Sequence, residues 1–378
     1  MMTSLAEKSL GAGDGELTRA DLANREIDPF EMTKTLGTQD KVFRGLFCGV
    51  DRYQSKVSEE NMRKYWDCIR DNYLDVLEPG ACKSYHTYTH ATDVTLTCHS
   101  MLFSGGSLIL SEEEQTAMIL AAYAHDVLHP GMNNLFYVNT KHDLAIKYDN
   151  KAVLERQSID FCLPLVKELG IFEENSVPWN LVVECINYTD MSQHKDLMEK
   201  IDAFHPTFTV ALNQARAAKG LPESESGITQ ADIDAGVSIA DSLTTEQRSL
   251  FASFMLHCAD ISNCAKSWEI SERWAVLVMN EFWAQGDVEK KLGLPLSMNC
   301  DRDTVVTDKC QWGFITFMLD SLFQLFRKFF PELGSWYYTN LKNNQARWKA
   351  ITDSGESYVN VFKPPTAVGG WKAMVPRP

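Results

Sequence analysis

Three short segments place histidine and aspartate inside apolar helical runs or at their ends, and this feature limits the possible folds most strongly. The segments cover residues 85–94, 124–131 and 257–263. A buried charged group costs several kcal/mol unless it is paired or binds a metal ion. Asp126 and Asp260 are therefore poor choices for an ordinary core. We expect a fold in which three helical segments meet at one buried polar site.

Helix signals dominate the rest of the chain, and strand-like alternation is scarce. Ser111 with Glu114 and Thr244 with Gln247 match capping boxes, each followed by a long apolar run. Residues 311–330 form a strongly apolar stretch that is expected to end at the proline that follows. The sequence therefore predicts an all-α protein with many helices packed around a central metal site.

The ends of the chain differ in composition from its middle. Residues 1–35 are polar and contain glycine, which predicts a flexible N-terminal lead-in. Residues 364–378 are rich in proline and glycine and predict an irregular C-terminal tail. No linker divides the part between them, so residues 36–363 are predicted to form one large helical domain.

Charge and cysteine usage exclude several classes of protein. Lys plus Arg is 36 and Asp plus Glu is 51, which gives a net charge of −15. This charge argues against nucleic acid and against a polybasic membrane surface as partners. The ten cysteines are scattered singly, and no apolar run approaches the ~20 residues of a membrane span. We expect a soluble cytoplasmic protein without a membrane span, as a monomer or a weak dimer.

Helical spacing sharpens the prediction of a metal site. His86 and His90 are four residues apart and share a helix face, as do His125 and His129. One helix then contributes a histidine, a second an adjacent His–Asp pair, and a third an aspartate. The candidate ligands are His90, His125, Asp126 and Asp260. Two imidazoles and two carboxylates suit zinc, with water in the open positions.

A second ion is also expected at this site. Asp126 has the position to bridge from zinc to an ion held otherwise by water. An oxygen-rich and water-rich site suits magnesium or manganese. Two ions about 3.5–4 Å apart hold a phosphoryl centre and generate hydroxide near neutral pH. The chemistry predicted for such a site is the hydrolysis of phosphate esters.

The order of these motifs resembles the HD-type metal-dependent phosphohydrolases. The fuller strings are more specific and resemble the class I cyclic nucleotide phosphodiesterases, with a match in order and spacing from about residue 40 to residue 350. The strings that carry the resemblance are 85–94, 125–134, 189–194, 259–263, 281–287 and 311–314.

This resemblance implies a phosphodiesterase catalytic domain over residues 36–363. It implies hydrolysis of the 3′,5′-cyclic phosphodiester of cAMP to the 5′-monophosphate by a hydroxide that bridges zinc and magnesium or manganese. His86 would be the general acid that protonates the leaving O3′, which suits the pKa of histidine. Glu155 would orient or tune His86.

The resemblance also implies residues around the ions and the base. His129, Thr189 and Tyr85 would contact water around the second ion. Gln311 would bind the purine edge through its amide, and the residues around the base would be Phe314, Asn263, Val278 and Phe282. The Gln311 amide can rotate to suit adenine or guanine, while an asparagine at position 263 favours adenine in this family. We therefore expect cAMP as substrate, with cGMP as a second substrate left open.

Four departures from the family pattern affect the surroundings of the site. Thr87 replaces the usual asparagine, residues 156–158 replace common histidines, Cys264 replaces the usual proline, and Asn299 stands where many members carry methionine. None is a proposed metal ligand. Two alternatives stay open, which are another HD-type nucleotide phosphohydrolase and a non-catalytic cyclic-nucleotide-binding module.

Overall fold

The computed structural model describes residues 16–48, 53, 57–73, 84–355 and 358. Over these residues the secondary structure is helical and no β-strand is present, which confirms the all-α prediction. Within the same part of the chain, no helix is both long enough and apolar enough to cross a membrane.

The described part of the chain contains seventeen α-helices. The N-terminal helices are α1 (Arg19–Leu22), α2 (Pro29–Thr33), α3 (Leu36–Phe47) and α4 (Glu59–Asp71). The middle of the chain forms α5 (Tyr88–Phe103), α6 (Glu112–Ala124), α7 (Asn134–Asn139), α8 (Asp143–Lys147), α9 (Val153–Glu168), α10 (Val177–Asn187), α11 (His194–Ala218), α12 (Gln230–Asp234) and α13 (Thr245–Asp260). The C-terminal helices are α14 (Trp268–Leu292), α15 (Thr307–Phe314), α16 (Asp320–Phe329) and α17 (Pro331–Ser354).

Both predicted capping boxes start helices. The Ser111 N–H donates to the Glu114 carboxylate at 2.8 Å, and the Glu114 N–H donates to the Ser111 hydroxyl at 3.3 Å. Thr244 and Gln247 make the same reciprocal pair at the start of α13. Each box satisfies N–H groups that have no partner inside the helix, so the starts of α6 and α13 are encoded locally.

The core is built around α5, α6, α10 and α13, which pack against one another. In α6 every residue from Thr116 to Ala124 is buried, and in α13 every residue from Phe251 to Ala259 is buried. A helix that is buried on all sides needs no amphipathic pattern. The N-terminus of α5 and the C-termini of α6 and α13 meet at one place, which carries the polar segments identified in the sequence.

The apolar stretch 311–330 is not one continuous helix. It divides into α15, a π-helical turn at Ile315–Leu319, and α16. The helix ends at Phe329 before Pro331, as predicted, and Pro331 then occupies the first turn of α17. A proline fits there because its missing N–H would have no helical partner.

The predicted lead-in 1–35 requires a correction in its second half. Residues 19–22 and 29–33 form α1 and α2, and Leu22 and Met32 are buried in the core. Thr33 of α2 also shares a hydrogen bond of 2.9 Å with Thr89 of α5. Isolated apolar residues anchor this segment, and such anchors leave no periodic pattern in a sequence. Residues 1–15 and 364–378 lie outside the described residues.

Candidate metal centre and active site

The four predicted metal ligands stand at the ends of three helices that meet in the core. His90 lies in the first turn of α5, His125 and Asp126 directly follow α6, and Asp260 is the last residue of α13. His90 and His125 are each about 1% exposed. The packing of α5 against α6 and α13 therefore brings together side chains that are up to 170 residues apart in the chain.

The ligand atoms of these side chains form a compact group. All four lie within 4.8 Å of one another. His90 Nε2 lies 2.9 Å from Asp260 Oδ1 and 3.6 Å from Asp126 Oδ2. His125 Nε2 lies 3.1 Å from Asp126 Oδ2 and 3.3 Å from Asp260 Oδ1. Nitrogen and carboxylate oxygen atoms thus converge on one point.

The orientation of His125 fits a bound cation. Its Nδ1 lies 2.8 Å from the Ala122 carbonyl oxygen and must donate to it, so in neutral histidine Nε2 carries a lone pair. Nε2 is buried and makes no hydrogen bond within the described residues. It nevertheless faces the carboxylates of Asp126 and Asp260. A lone pair against two carboxylates is repulsive, and the repulsion is removed either by a proton on Nε2 or by a cation between Nε2 and the carboxylates, as at a zinc site.

Both carboxyl groups are held in their ionised form. Burial acts to raise the pKa of Asp126 and Asp260, but the positive charge of protonated His125 outweighs burial and holds the pKa of each carboxyl below its ordinary value. The two carboxylates in turn outweigh the burial of His125 and raise the pKa of its imidazole. Ionised carboxylates bind metal ions directly, and His125 would bind one after the cation displaces the Nε2 proton.

A tight turn after α6 brings a further histidine to the same region. Leu128 adopts a φ of +66°, which is unusual for a residue other than glycine. The His129 N–H donates to the Asp126 carbonyl oxygen at 2.9 Å and closes the turn. The His129 ring then stacks on the ring of His86 with a centroid distance of 3.8 Å. The spacing of His125 and His129 thus places both near the site, although the helix has already ended.

His86 is held by a buried glutamate from another part of the chain. Its Nδ1 contacts the Glu281 carboxylate through Oε1. The other oxygen, Glu281 Oε2, accepts the backbone N–H groups of Ser84, Tyr85 and His86 at 3.0, 2.8 and 3.2 Å. Glu281 is 2% exposed, so this carboxylate is fixed by three amides and one imidazole.

The pair of Glu281 and His86 favours charge on both partners. Burial acts to lower the pKa of His86, but the carboxylates of Glu281 and Asp126 outweigh it and the pKa is raised. Burial acts to raise the pKa of Glu281, but the His86 imidazole outweighs it and lowers that pKa to about 2. A histidine with a raised pKa keeps its proton to a higher pH and suits the role of a general acid.

The predicted partner of His86 therefore needs a correction, because Glu281 rather than Glu155 contacts its ring. Glu155 lies in the first turn of α9, where its carboxylate accepts from Asn134 Nδ2 at 3.0 and 3.3 Å. Burial raises the pKa of Glu155 to about 7, and the nearby charge of Asp190 adds to the effect. The start of α9 places Glu155 on another wall of the cavity.

A signal for Glu281 was present in the sequence. Val278 and Phe282 were both predicted to line the substrate pocket, and Glu281 stands three residues after one and directly before the other. On a helix, Val278, Glu281, Phe282 and Gln285 share one face. A charged residue on a buried face needs a partner, so the pattern predicts that Glu281 pairs with a basic group such as histidine.

A cavity of about 490 Å³ opens beside the four-ligand group. It is lined by most of the residues predicted for the site, which are Tyr85, His86, Asp126, His129, Glu155, Thr189, Asp260, Asn263, Val278, Phe282, Gln311 and Phe314. The remaining ligands, His90 and His125, are buried beside it. The Thr189 hydroxyl donates to the Ile186 carbonyl at 2.8 Å, so its lone pairs are free to accept from water.

One end of the cavity carries an amide and aromatic side chains. Gln311 and Phe314 are three residues apart on α15 and both line the cavity, as do Val278 and Phe282 of α14. A π-helical turn begins directly after Phe314, and such turns are frequent at functional sites. The arrangement offers an apolar slot, and the buried amides of Gln311 and Asn263 border the same cavity.

The loop that carries Asn299, one of the four departures from the family pattern, forms the rim of this slot. Met298 and Asn299 line the cavity, and Met298 is 86% exposed. The loop packs directly on α14, because a Cβ at Gly286 would lie 1.8 Å from the Cys300 carbonyl oxygen. Asn299 has a φ of +64°, which asparagine tolerates better than most residues.

The residues at 156–158 contribute anchors to the turn that follows α6. The Ser158 hydroxyl donates to the Val127 carbonyl at 3.0 Å, and Gln157 Nε2 donates to the Leu128 carbonyl at 3.4 Å. These polar side chains stabilise the turn between Asp126 and His129. Gln157 and Ser158 thus anchor the turn that carries Asp126.

The fold and the site together define a helical domain in which a histidine–aspartate group that could hold a metal ion lies beside a cavity of about 490 Å³. A family profile for 3′5′-cyclic nucleotide phosphodiesterases matches residues 85–340, a range that contains every site residue described above. The chain belongs to the 3′5′-cyclic nucleotide phosphodiesterase family.

Curated relatives and solved structures agree with this assignment. The chain is 34% identical over 265 residues to the dual specificity calcium/calmodulin-dependent 3′,5′-cyclic nucleotide phosphodiesterase 1B of Mus musculus, which covers 67% of this chain and 43% of the relative. It is 33% identical over 267 residues to the dual specificity calcium/calmodulin-dependent 3′,5′-cyclic nucleotide phosphodiesterase 1C of Mus musculus. That match covers 67% of this chain and 32% of the relative. The chain thus matches less than half the length of these relatives.

The fold is also similar to a crystal structure. The phosphodiesterase domain of the RhoPDE fusion protein from the choanoflagellate Salpingoeca rosetta matches with a TM-score of 0.71 and 24% identity, over 88% of this chain and 96% of that domain. This likeness concerns the fold.

Proposed function

We propose that this chain hydrolyses the 3′,5′-cyclic phosphodiester of a purine nucleotide to the 5′-monophosphate. The observation that carries the proposal is the shared cavity. A histidine with a carboxylate partner, a four-ligand metal group and an amide–aromatic slot all border the same space. Membership of the phosphodiesterase family supports the same reaction.

We further propose which ions the site holds. His90, His125, Asp126 and Asp260 would bind zinc, because the set combines two imidazoles with two carboxylates. Asp126 would also contact magnesium or manganese. Two such ions, when bound, polarise the phosphoryl group and lower the pKa of the attacking water. His129, Thr189 and Glu155 line the same cavity and would contact water around the second ion.

The reaction adds one water molecule across the P–O3′ bond. The attacking water gives up one proton to solvent and its oxygen forms a bond to phosphorus. The P–O3′ bond breaks with its electron pair on O3′, which takes up a proton from His86, and solvent then returns a proton to His86. His86 would supply the proton for O3′ from Nε2, because its other ring nitrogen, Nδ1, contacts Glu281. Glu281 stabilises the imidazolium before transfer and holds the ring in one orientation, since its second oxygen is bound by three backbone amides.

The base would occupy the slot between α14 and α15. Phe314 would stack on one face of the purine, with Val278 and Phe282 on the other. Gln311 would contact the purine edge through its amide. We propose cAMP as the first substrate. The dual specificity in the names of the curated relatives keeps cGMP as a second candidate.

The decisive experiment measures steady-state hydrolysis of cAMP and cGMP side by side, with added magnesium and with excess chelator, together with the zinc content of the purified protein. Turnover that the chelator abolishes supports the proposal. Turnover of other nucleotides alone would favour another HD-type phosphohydrolase. Tight binding of cyclic nucleotide without turnover would favour a non-catalytic binding module.

Two variants separate metal binding from proton transfer. Asp260→Ala is expected to abolish zinc binding and turnover together. His86→Ala is expected to slow turnover by ~10²–10⁴ with zinc retained. His205→Ala, on α11 outside the cavity, serves as the control and should leave the rate unchanged. Full activity of Asp260→Ala would contradict the metal assignment, and an unchanged rate of His86→Ala would exclude it as the acid.

The cytoplasmic location and the monomeric or weakly dimeric state stay predictions from the sequence.

A further inference from the structure

One buried imidazole holds both ends of the segment that brings Thr189 to the cavity. His257 lies on α13 and is fully buried. Its Nδ1 lies 2.9 Å from the carbonyl oxygen of Tyr188, the residue that follows α10. Its Nε2 lies 2.9 Å from Nδ1 of His194, the first residue of α11. The segment between Tyr188 and His194 is therefore closed by a single side chain of another helix.

These contacts fix the proton positions on both rings. A carbonyl oxygen only accepts hydrogen bonds, so Nδ1 of His257 donates to Tyr188. Nε2 of neutral His257 then carries a lone pair and accepts from the Nδ1–H of His194. Burial lowers the pKa of His257 to about 4 and also lowers the pKa of His194. Both rings are thus neutral at neutral pH, and each of the two hydrogen bonds has one donor and one acceptor.

The Tyr188 carbonyl gains a partner that the helix itself does not supply. Carbonyl groups at the end of a helix have no N–H partner within it. The Ile186 carbonyl accepts the N–H of Thr189 at 3.1 Å, which closes the last turn of α10. The Tyr188 carbonyl, two residues further, accepts from His257. A hydrogen bond between distant parts of the chain therefore helps to set the position of the turn after α10.

The closed segment forms one wall of the cavity. Three consecutive residues of the segment line the cavity, which are Thr189, Asp190 and Met191. His257 precedes Asp260 by three residues on α13, so one helix carries both a proposed metal ligand and the group that holds this wall. A shift of the turn would move the Thr189 hydroxyl relative to that ligand.

We propose that His257 is a positioning residue for the second ion, because it holds the Thr189 hydroxyl where it can accept from the water around that ion. A hydroxyl that the fold has already fixed accepts such a hydrogen bond without a further loss of conformational freedom. In a turn released from His257, the ion itself would have to order the wall, and its binding would weaken. This inference rests on the proposed function, which places the second ion at Asp126 and its water at Thr189.

The test measures the binding of Mn²⁺ to the zinc-loaded protein through the electron paramagnetic resonance signal of the free ion. His257→Gln keeps an acceptor for His194 but has no donor at the position of Nδ1, so it leaves the Tyr188 carbonyl without this partner. Its Kd for Mn²⁺ is expected to rise about fivefold, the equivalent of a hydrogen bond of ~1 kcal/mol. His257→Asn places an amide N–H near the position of Nδ1 and should keep the Kd of the wild type. The zinc content should be equal in all three proteins.

The order of these two variants separates positioning from packing. Asparagine is smaller than glutamine, so a loss of buried contacts would harm His257→Asn more. The loss of the hydrogen bond to Tyr188 would harm only His257→Gln. A double-mutant cycle tests the route of the effect: in a Thr189→Val background, His257→Gln should not change the Kd for Mn²⁺ further.

His99→Gln is the matched control, since His99 is an equally buried histidine of α5 that does not line the cavity. It should keep the Kd of the wild type for Mn²⁺ even where it lowers stability. If His257→Gln does not fold, His194→Leu is the second variant, because it removes the donor that holds Nε2 of His257. Its Kd for Mn²⁺ should rise about twofold or more.

Three results overturn this inference alone. They are a wild-type Kd for Mn²⁺ in His257→Gln or, where that variant does not fold, in His194→Leu; equal effects of His257→Gln and His257→Asn; and a full effect of His257→Gln in the Thr189→Val background. A wild type that binds zinc but neither binds Mn²⁺ nor hydrolyses a cyclic nucleotide overturns the proposed function, and this inference with it.

Discussion

Replacing Glu281 by glutamine tests the proposed general acid most directly. The amide oxygen of glutamine can still accept the backbone N–H groups of residues 84–86, so the local fold should be kept. The change removes the negative charge that faces His86 Nδ1. The amide NH₂ also takes the place of an acceptor, which disfavours a proton on Nδ1.

The size of the effect follows from the pKa of the carboxyl group. His86 lowers the pKa of Glu281 from 4.5 to about 2 against the effect of burial, which corresponds to about 3 kcal/mol at 1.36 kcal/mol for each pKa unit. By linkage, the same interaction raises the pKa of His86. Its loss should therefore lower the pKa of His86 and reduce the protonated fraction of His86 at neutral pH.

The assay is the pH dependence of kcat/KM for the preferred cyclic nucleotide. Because a general acid must be protonated, His86 governs the alkaline limb of the profile. In Glu281→Gln this limb should move to lower pH, and kcat/KM at neutral pH should fall by a factor that does not exceed the ~10²–10⁴ that a general acid contributes. Zinc content should stay at the wild-type level, since Glu281 is not among the four ligands.

Glu289→Gln is the matched control for this variant. Glu289 lies two turns further along α14, is equally buried, and accepts from Gln285 and Ser297 instead of a histidine. Its replacement should leave the alkaline limb in place even where it lowers stability. A Glu281→Gln enzyme with the wild-type profile and rate would refute the idea that Glu281 tunes His86.

Two further predictions concern stability and substrate binding. Lys266→Met leaves Asp93 buried without the Nζ partner that lies 3.0 Å away, and should cost ~3–5 kcal/mol in urea unfolding. Lys349→Met removes an exposed pair on α17 and should cost only ~0.3–0.5 kcal/mol, so equal losses in the two variants would contradict the burial argument. Phe314→Ala removes the proposed stacking platform of the base and should raise KM about tenfold or more with a smaller change in kcat, as expected for ~1–3 kcal/mol of base stacking. An unchanged KM for both cyclic nucleotides would show that Phe314 does not contact the base.

The candidate metal ligands could be predicted because their signal is local. His125 and Asp126 are adjacent, Asp260 ends a helix with a clear capping box at its start, and each interrupts an apolar run. A charged residue in such a run has few structural explanations. For these positions, the sequence pattern and the cost of burying a charge both indicate a metal ligand.

The partner of His86 and the contacts of His257 could not be predicted in this way. Glu281 is 195 residues from His86, and Glu155 had the same side chain and a plausible motif. His257 lies 69 residues after Tyr188. Only the packing of α14 against the segment that precedes α5, and of α13 against the turn between α10 and α11, decides which side chains meet.

The sequence by itself determined the helical class, the starts of α6 and α13, and the identity of the groups that can bind metal ions. These features depend on interactions between residues close in the chain, such as caps and helix faces. Tertiary structure alone decided which carboxylate faces which imidazole and which side chain holds the turn between α10 and α11. Those choices depend on hydrogen bonds between distant segments, whose geometry exists only once the helices have packed.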